Sequence, residues 1–233
     1  MIDAARLAKR LDNYGIALNK EQYQQLDIYA QLLVEWNEKM NLTAITEPEE
    51  IENKHFLDSL QLTKHISSGS VIDVGTGAGF PGMVLKIACP QVELYLLDGL
   101  EKRLAFLEKV ADEIGAECTL MHGRAEDAGH DPALRGSFDA ATARAVAQMN
   151  VLCEYCMPFV RVGGVFAAMK GSAASEELEQ AENAVALLGG VTGKGHPYLL
   201  PDGSEREIVI VNKTTETPDK YPRRAPAIKK KPL

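Results

Sequence analysis

The 233-residue sequence has four cysteines, one tryptophan and no long apolar run. Cys89, Cys118, Cys153 and Cys156 are too few and too scattered for a disulfide framework, which agrees with a reducing compartment. No stretch approaches the roughly 18 uncharged apolar residues of a spanning helix. Met1-Ile2-Asp3-Ala4-Ala5-Arg6 breaks up any secretory pattern, so the chain reads as cytoplasmic, without a membrane partner. Without an export signal the sequons Asn41-Leu42-Thr43 and Asn212-Lys213-Thr214 carry no weight. Cys153-Glu154-Tyr155-Cys156 offers two thiols at i, i+3, but no second pair or nearby histidine completes a zinc site; the pair reads as helix packing, and no metal is expected.

Basic charge is also scarce. The net charge is −8, which argues at first against a polyanionic partner. Its distribution softens the objection: residues 213–233 hold seven Lys/Arg against Glu216 and Asp219, so the tail carries +5 and residues 1–212 carry −13. Pro218, Pro222, Pro226 and Pro232 predict an extended, partly disordered basic arm over 213–233.

At 45% hydrophobic and 25% charged, the remainder fits one α/β domain with a small extension. Residues 1–68 lack strand-like alternation; Leu26, Tyr29, Ala30, Leu33, Trp36 and Met40 recur at helical spacing, and Trp36 reads as core. A second helix is predicted over Pro48–Ile66. Residues 69–212 alternate strand and helix, the pattern of a doubly wound, mostly parallel sheet. Strands are expected at Val71–Val74, Val92–Leu97, Cys118–Met121, Phe138–Thr142 and Val165–Met169, with two more at Val191–Leu200 and Glu207–Asn212. Helices are expected at Pro81–Cys89, Lys102–Ile114, Ala147–Phe159 and Ser175–Leu188.

The segment Asp73-Val74-Gly75-Thr76-Gly77-Ala78-Gly79 leaves an apolar strand and meets Pro81 at a helix start. Glycines at 75, 77 and 79 permit positive φ and let a ligand lie against the main chain near a helix N-terminus. Gly77 to Gly82 also satisfies GxGxxG, and Asp98 follows Gly77 by 21 residues, as in a dinucleotide fold. A nicotinamide oxidoreductase and a non-catalytic nucleotide-sensing or RNA-binding module therefore stay open. Asp73 tilts the choice, because a carboxylate there favours a cationic sulfonium over a pyrophosphate. Asp98, at a strand end, offers acceptors to ribose hydroxyls or caps the next helix. Ala125 and Glu126 fall where an adenine edge would lie.

The residues also carry a specific resemblance. Trp36-Asn37 with Asn41-Leu42-Thr43-Ala44, His55-Phe56-Leu57-Asp58-Ser59-Leu60, and Asp73 to Gly82 with its Gly79-Phe80-Pro81-Gly82 end resemble the ribosomal RNA small-subunit methyltransferase G family, also called glucose-inhibited division protein B. The likeness continues through Leu96-Leu97-Asp98, Gly123-Arg124-Ala125-Glu126, Ala143-Arg144-Ala145, Met169-Lys170-Gly171 and Tyr221-Pro222-Arg223-Arg224, covering nearly the whole chain. It implies a class I, Rossmann-like methyltransferase that uses S-adenosylmethionine to methylate N7 of a guanine in a conserved loop of small-subunit ribosomal RNA, free or in the 30S particle. It also ties loss of the mark to streptomycin resistance. By the same likeness the cofactor is bound through Gly75, Phe80, Ala125, Glu126 and Arg144, with Asp98 at the ribose; Gly77 and Gly79 complete the set.

Guanine N7 loses no proton when it attacks a methyl, so alignment supplies most of the acceleration and no general base is expected. Arg144, past the fourth strand, meets the cofactor or orients the base at O6. Lys170, Arg206, Arg223 and Arg224 are candidates for RNA contact, and no protein partner is predicted. His55 and Asp58 share a helical face and read as bracing rather than catalytic. Removing residues 221–233 is expected to weaken RNA affinity more than cofactor affinity.

Overall fold

The computed structural model describes all residues, 1–233, and builds them around one seven-stranded sheet in the order β3-β2-β1-β4-β5-β7-β6. The strands are β1 (Gly69–Val74), β2 (Val92–Asp98), β3 (Cys118–His122), β4 (Phe138–Arg144), β5 (Val160–Lys170), β6 (Gly190–Leu199) and β7 (Glu205–Lys213). β1 to β5 are parallel, and β7 runs antiparallel between β5 and β6. No helix is long and apolar enough to cross a membrane.

Both faces of the sheet are covered, and the alternation of side chains along each strand divides the core in two. Val71, Leu94, Leu96 and Ala140 point into one cluster; their neighbours Ile72, Val74, Leu97 and Ala141 point into the other. The first cluster lies under α5 (Gly82–Ala88) and α6 (Glu101–Ile114), together with the N-terminal helices α1 (Ala4–Asp12) and α2 (Lys20–Met40). The second lies under α8 (Met149–Cys156) and α9 (Ala174–Leu187).

Local chemistry sets the element ends. Asn19 and Gln22 form a reciprocal capping box at the start of α2. Asn41 closes it in the left-handed region at φ 49°, and the Asn37 carboxamide accepts the Thr43 amide at 2.9 Å. Trp36 packs on Phe106 with ring centroids 5.7 Å apart, on the margin of the core.

Two segments differ from the sequence expectation. The helix expected over Pro48–Ile66 is a composite: α3 (Pro48–Glu50), a π-helical stretch Ile51–Leu57, α4 (Asp58–Leu60) and a 3-10 turn Gln61–Lys64. A π turn has i→i+5 bonds and is enriched at functional sites. The tail over 213–233 is docked rather than extended. Tyr221 and Ile228 are buried, and α10 (Ala225–Lys230) carries Pro226 in its first turn, where a missing N–H costs no helix bond. Glu154, fully buried on α8, accepts the Arg223 backbone N–H (2.7 Å), Nε (2.8 Å) and Nη2 (2.6 Å). Arg135 donates to the carbonyls of Gly129, Thr217, Pro218 and Tyr221, and Lys213 Nζ donates to the carbonyls of Met157 and Leu188.

Candidate active site

In an open parallel sheet, ligands bind beyond the strand carboxyl ends where strand order reverses. Here that point lies between β1 and β4. Asp73 pairs with Thr142, so Gly75 leaves β1 beside Arg144 at the end of β4.

The Gly-rich turn is held from three sides. The Gly75 and Thr76 amides donate to the Leu97 carbonyl at 2.8 and 3.1 Å. Asp98 Oδ2 accepts the Gly77 amide at 2.9 Å, and the buried Tyr29 hydroxyl of α2 donates to the Ala78 carbonyl. Gly75, Gly77 and Gly79 all have positive φ. At Gly79 a Cβ would sit 2.5 Å from the Tyr29 oxygen and 2.6 Å from Leu107, so this glycine serves close packing against α2 and α6 as well as φ.

Asp73, read from the sequence as a carboxylate favouring a cationic sulfonium, is turned into the protein instead. Its Oδ2 accepts from Thr76 Oγ1 at 2.7 Å and from the Gly82 amide at 2.9 Å, bracing the turn from below. Oδ1 is buried without a partner, and burial raises the carboxyl to about 6. Asp98 is also more occupied than expected. Besides Gly77, its oxygens accept the Leu100 amide at 2.9 Å and Arg103 Nη1 at 3.3 Å, using three of about four acceptor sites on a carboxylate. One remains for a ribose hydroxyl.

Gly75, Asp98, Ala125 and Glu126 line a cavity of about 390 Å³, with Leu97, Arg124, Val146, Tyr155 and two residues of α10. Ala125 and Glu126 open α7 (Ala125–Ala128), beside the carboxyl end of β3. The donor and acceptor set fits S-adenosylmethionine: a main-chain approach at Gly75, an acceptor at Asp98, and backbone groups at Ala125 and Glu126.

Phe80 and Arg144 belong to a neighbouring group. His55 stacks on Phe80, centroids 4.2 Å apart and planes 10° off parallel, and the Arg144 guanidinium lies 5.0 Å from the same ring centre. Arg144 Nη1 donates to the Lys54 carbonyl (2.9 Å) and Asp58 Oδ2 (2.8 Å), and Nη2 donates to His55 Nδ1 (3.1 Å). His55 Nε2 faces Thr43 Oγ1 at 3.0 Å. Burial, reinforced by Arg144, depresses His55 to about 3, so the ring is neutral and its proton sits on Nε2. Asp58 Oδ1 accepts the Tyr198 hydroxyl at 2.7 Å, with Arg206 Nε at 3.8 Å. His55 and Asp58 thus brace Arg144 directly, and the Gly-rich turn through Phe80.

A second cavity, about 430 Å³, is lined by Arg144, Ala145, His55, Asp58, Lys170 and Arg206 among others. Lys170 is neither free nor solvated: its Nζ donates to the Ala147 carbonyl at 2.9 Å and pairs with Glu177 at 2.5 Å. Of the two tail arginines proposed for RNA, Arg223 is committed to Glu154, whereas Arg224 is exposed. One loop separates the cavities: Arg144 and Ala145 line the second, and the next residue, Val146, lines the first and rests 3.0 Å from where a Gly75 Cβ would stand.

Sequence reasoning missed Tyr29, Tyr198, Tyr155 and Val146, each set far in sequence from what it touches. Thr43 did carry a signal, its place in Asn41-Leu42-Thr43, but no role followed from that.

A chain from Pyrococcus furiosus described as a methyltransferase superposes with a TM-score of 0.58 at 13% identity, over 81% of this chain and 98% of that one. A 16S rRNA adenine methyltransferase from Catenulisporales acidiphilia gives 0.54 at 15%, over 67% and 88%. These show the fold. The family model of GidB, rRNA small subunit methyltransferase G, matches residues 22–196. The ribosomal RNA small subunit methyltransferase G of Streptococcus pyogenes serotype M12 (strain MGAS2096) is 49% identical over 230 residues, 97% of each chain. Both matches span the Gly-rich turn together with His55, Asp58 and Arg144, and the chain belongs to the rRNA small subunit methyltransferase G family.

Proposed function

We propose that this protein transfers a methyl group from S-adenosylmethionine to N7 of a guanine in a conserved loop of small-subunit ribosomal RNA, presented free or in the 30S particle. Class and cofactor follow from the family; methyl transfer to ribosomal RNA is its reaction. The dinucleotide alternative falls with that membership. The observation that supports the site is the meeting of two cavities across Gly75 and Val146, one suited to the methyl donor and one to a base.

Bound S-adenosylmethionine supplies a methyl activated by a sulfonium. The protein supplies alignment. Gly75 lets the donor lie against the main chain, while Asp98 and the Ala125–Glu126 backbone hold its adenosine end. Arg144 has three of five N–H donors engaged, which fixes the guanidinium plane and leaves two for the guanine O6 edge. Arg206 is the second donor on that cavity.

The candidate bases on the acceptor cavity are all engaged: Glu177 pairs with Lys170 and accepts the Met149 amide. His55 is neutral with Nδ1 engaged by Arg144, and Asp58 is engaged by Arg144 and Tyr198. An in-plane N7 lone pair needs none. Exposed Arg224 of the tail is an RNA contact in this reading, Arg223 holds the tail, and the activity belongs in the cytoplasm, its loss conferring streptomycin resistance.

The test is incubation with labelled methyl donor and either 30S particles or bare ribosomal RNA lacking the mark, followed by strand cleavage specific for 7-methylguanosine. One labelled guanine is expected. Label on another base, or none on either substrate, contradicts the proposal.

A further inference from the structure

The cofactor cavity has a wall that the Gly-rich turn, Asp98 and α7 do not supply. Ala225 and Lys229 line it from α10, the last helix of the chain. They are spaced i, i+4 and so share one face of that helix. Ile228, between them in sequence, is fully buried and sets how the helix sits. Lys229 has no carboxylate within ion-pair distance, so its ammonium is free at a cavity that also holds Asp98 and Glu126.

The anchoring makes this wall a built one. Glu154 on α8 takes three bonds from Arg223, and Arg223 Nη1 reaches across to the Lys231 carbonyl at 3.0 Å, spanning the helix. On the other side His130 Nε2 lies 2.7 Å from the Pro222 carbonyl, and Pro222 packs so closely on Gly129 that a Cβ there would come within 2.9 Å of it. The tail therefore bridges α8, which contributes Tyr155 to the cavity, and the end of α7, which contributes Ala125 and Glu126.

We propose that α10 is the outer wall of the S-adenosylmethionine site, with Lys229 a direct contact to the adenosine half of the cofactor and Glu154–Arg223 the latch that positions the wall. This rests on the placement of the cofactor in the Gly75–Asp98–Glu126 cavity. It reverses the order of effects that composition suggests for the tail: cofactor affinity is the first property to suffer when α10 is disturbed.

The experiment compares Ala225→Phe, Lys229→Ala, Glu154→Gln and Gly75→Val in the full-length protein. Affinity for S-adenosylhomocysteine is measured by calorimetry, together with the thermal midpoint without ligand and the affinity for bare ribosomal RNA. Phe at 225 projects into the cavity and is expected to weaken binding by at least about tenfold, the size of a loss near 1.4 kcal/mol, with the ligand-free midpoint close to wild type. Lys229→Ala is expected to weaken it several-fold, with RNA affinity changed less than cofactor affinity. Glu154→Gln keeps one acceptor for the Arg223 amide and is expected to give a milder loss. Wild-type affinity in both Ala225→Phe and Lys229→Ala, with binding abolished in Gly75→Val, overturns the wall while leaving the site in place. Wild-type affinity in Gly75→Val overturns the site and the wall together.

Discussion

His55 Nδ1 and Arg144 Nη2 are 3.1 Å apart, a bond that exists only while that ring nitrogen is unprotonated. The cluster is thereby tied to pH. His55 stands at about 3 when folded, chiefly through burial, against about 6.5 in an unfolded chain. Between those values the unfolded chain binds more protons, so stability falls as the pH is lowered from 6.5 toward 3. Asp73, raised to about 6 from an ordinary 3.8, works in the opposite sense: the folded form holds the extra proton in that window and gains as the pH falls. His55→Gln is expected to flatten the loss between pH 7 and pH 5, and Asp73→Asn to steepen it, in urea midpoints at the two pH values. An unchanged slope in His55→Gln contradicts this assignment.

Asp58→Asn removes the charge that holds Arg144, Arg206 and Tyr198 around one carboxylate. A guanidinium that loses its partner in a largely buried place costs roughly 2–3 kcal/mol. Turnover is expected to fall by more than an order of magnitude, while the affinity for S-adenosylhomocysteine changes little, because Asp58 lines only the acceptor cavity. Equal loss of both would mean that the two cavities do not act separately. Single-turnover rates with calorimetry distinguish the cases.

Tyr29→Phe takes one hydroxyl from the far side of the Gly-rich turn and leaves the Ala78 carbonyl without its donor. About 1–2 kcal/mol of stability should be lost, while the ring keeps its stack on Phe80, centroids 5.2 Å apart. Cofactor affinity is expected to drop several-fold through a looser turn. A variant destabilised to this extent but binding at wild-type strength would show that α2 serves the fold and not the site.

Gly75→Val places a β-branched residue at φ +70° and drives its Cβ to 3.0 Å from Val146. The left-handed region alone costs such a residue on the order of 1–2 kcal/mol, and the new side chain projects where the donor must lie. Cofactor binding should vanish with the far-UV circular dichroism intact. Binding within a few-fold of wild type would move the donor elsewhere.

What the sequence made legible were the features written in local spacing. The alternation of strand and helix over 69–212, the Gly-rich turn and the terminal acid of β2 are all short-range signals, and each lies where it was read. The shared face of His55 and Asp58 was equally visible. Their partner was not, because Arg144 reaches them from about 90 residues away, and its bond to the Lys54 carbonyl belongs to a π-helical stretch that helical periodicity reads as ordinary helix. Asp73 was readable as important but not as a brace, since only the fold shows that Thr76 and Gly82 face its Oδ2. The tail misled for a related reason: four prolines and seven cations describe a solvated arm unless a buried carboxylate such as Glu154 waits for one of them.

That carboxylate also gives the chain a sense of completion. Until residue 223 has left the ribosome, Glu154 lies on a helix that must bury it with no cation to meet it, so the second core cluster cannot close at full strength. A chain interrupted shortly before its end would keep nearly all its apolar contacts and still carry a lone buried charge. A copy cut before Arg223 is therefore expected to lose more stability than its missing apolar contacts account for, by the cost of one buried carboxylate without its guanidinium.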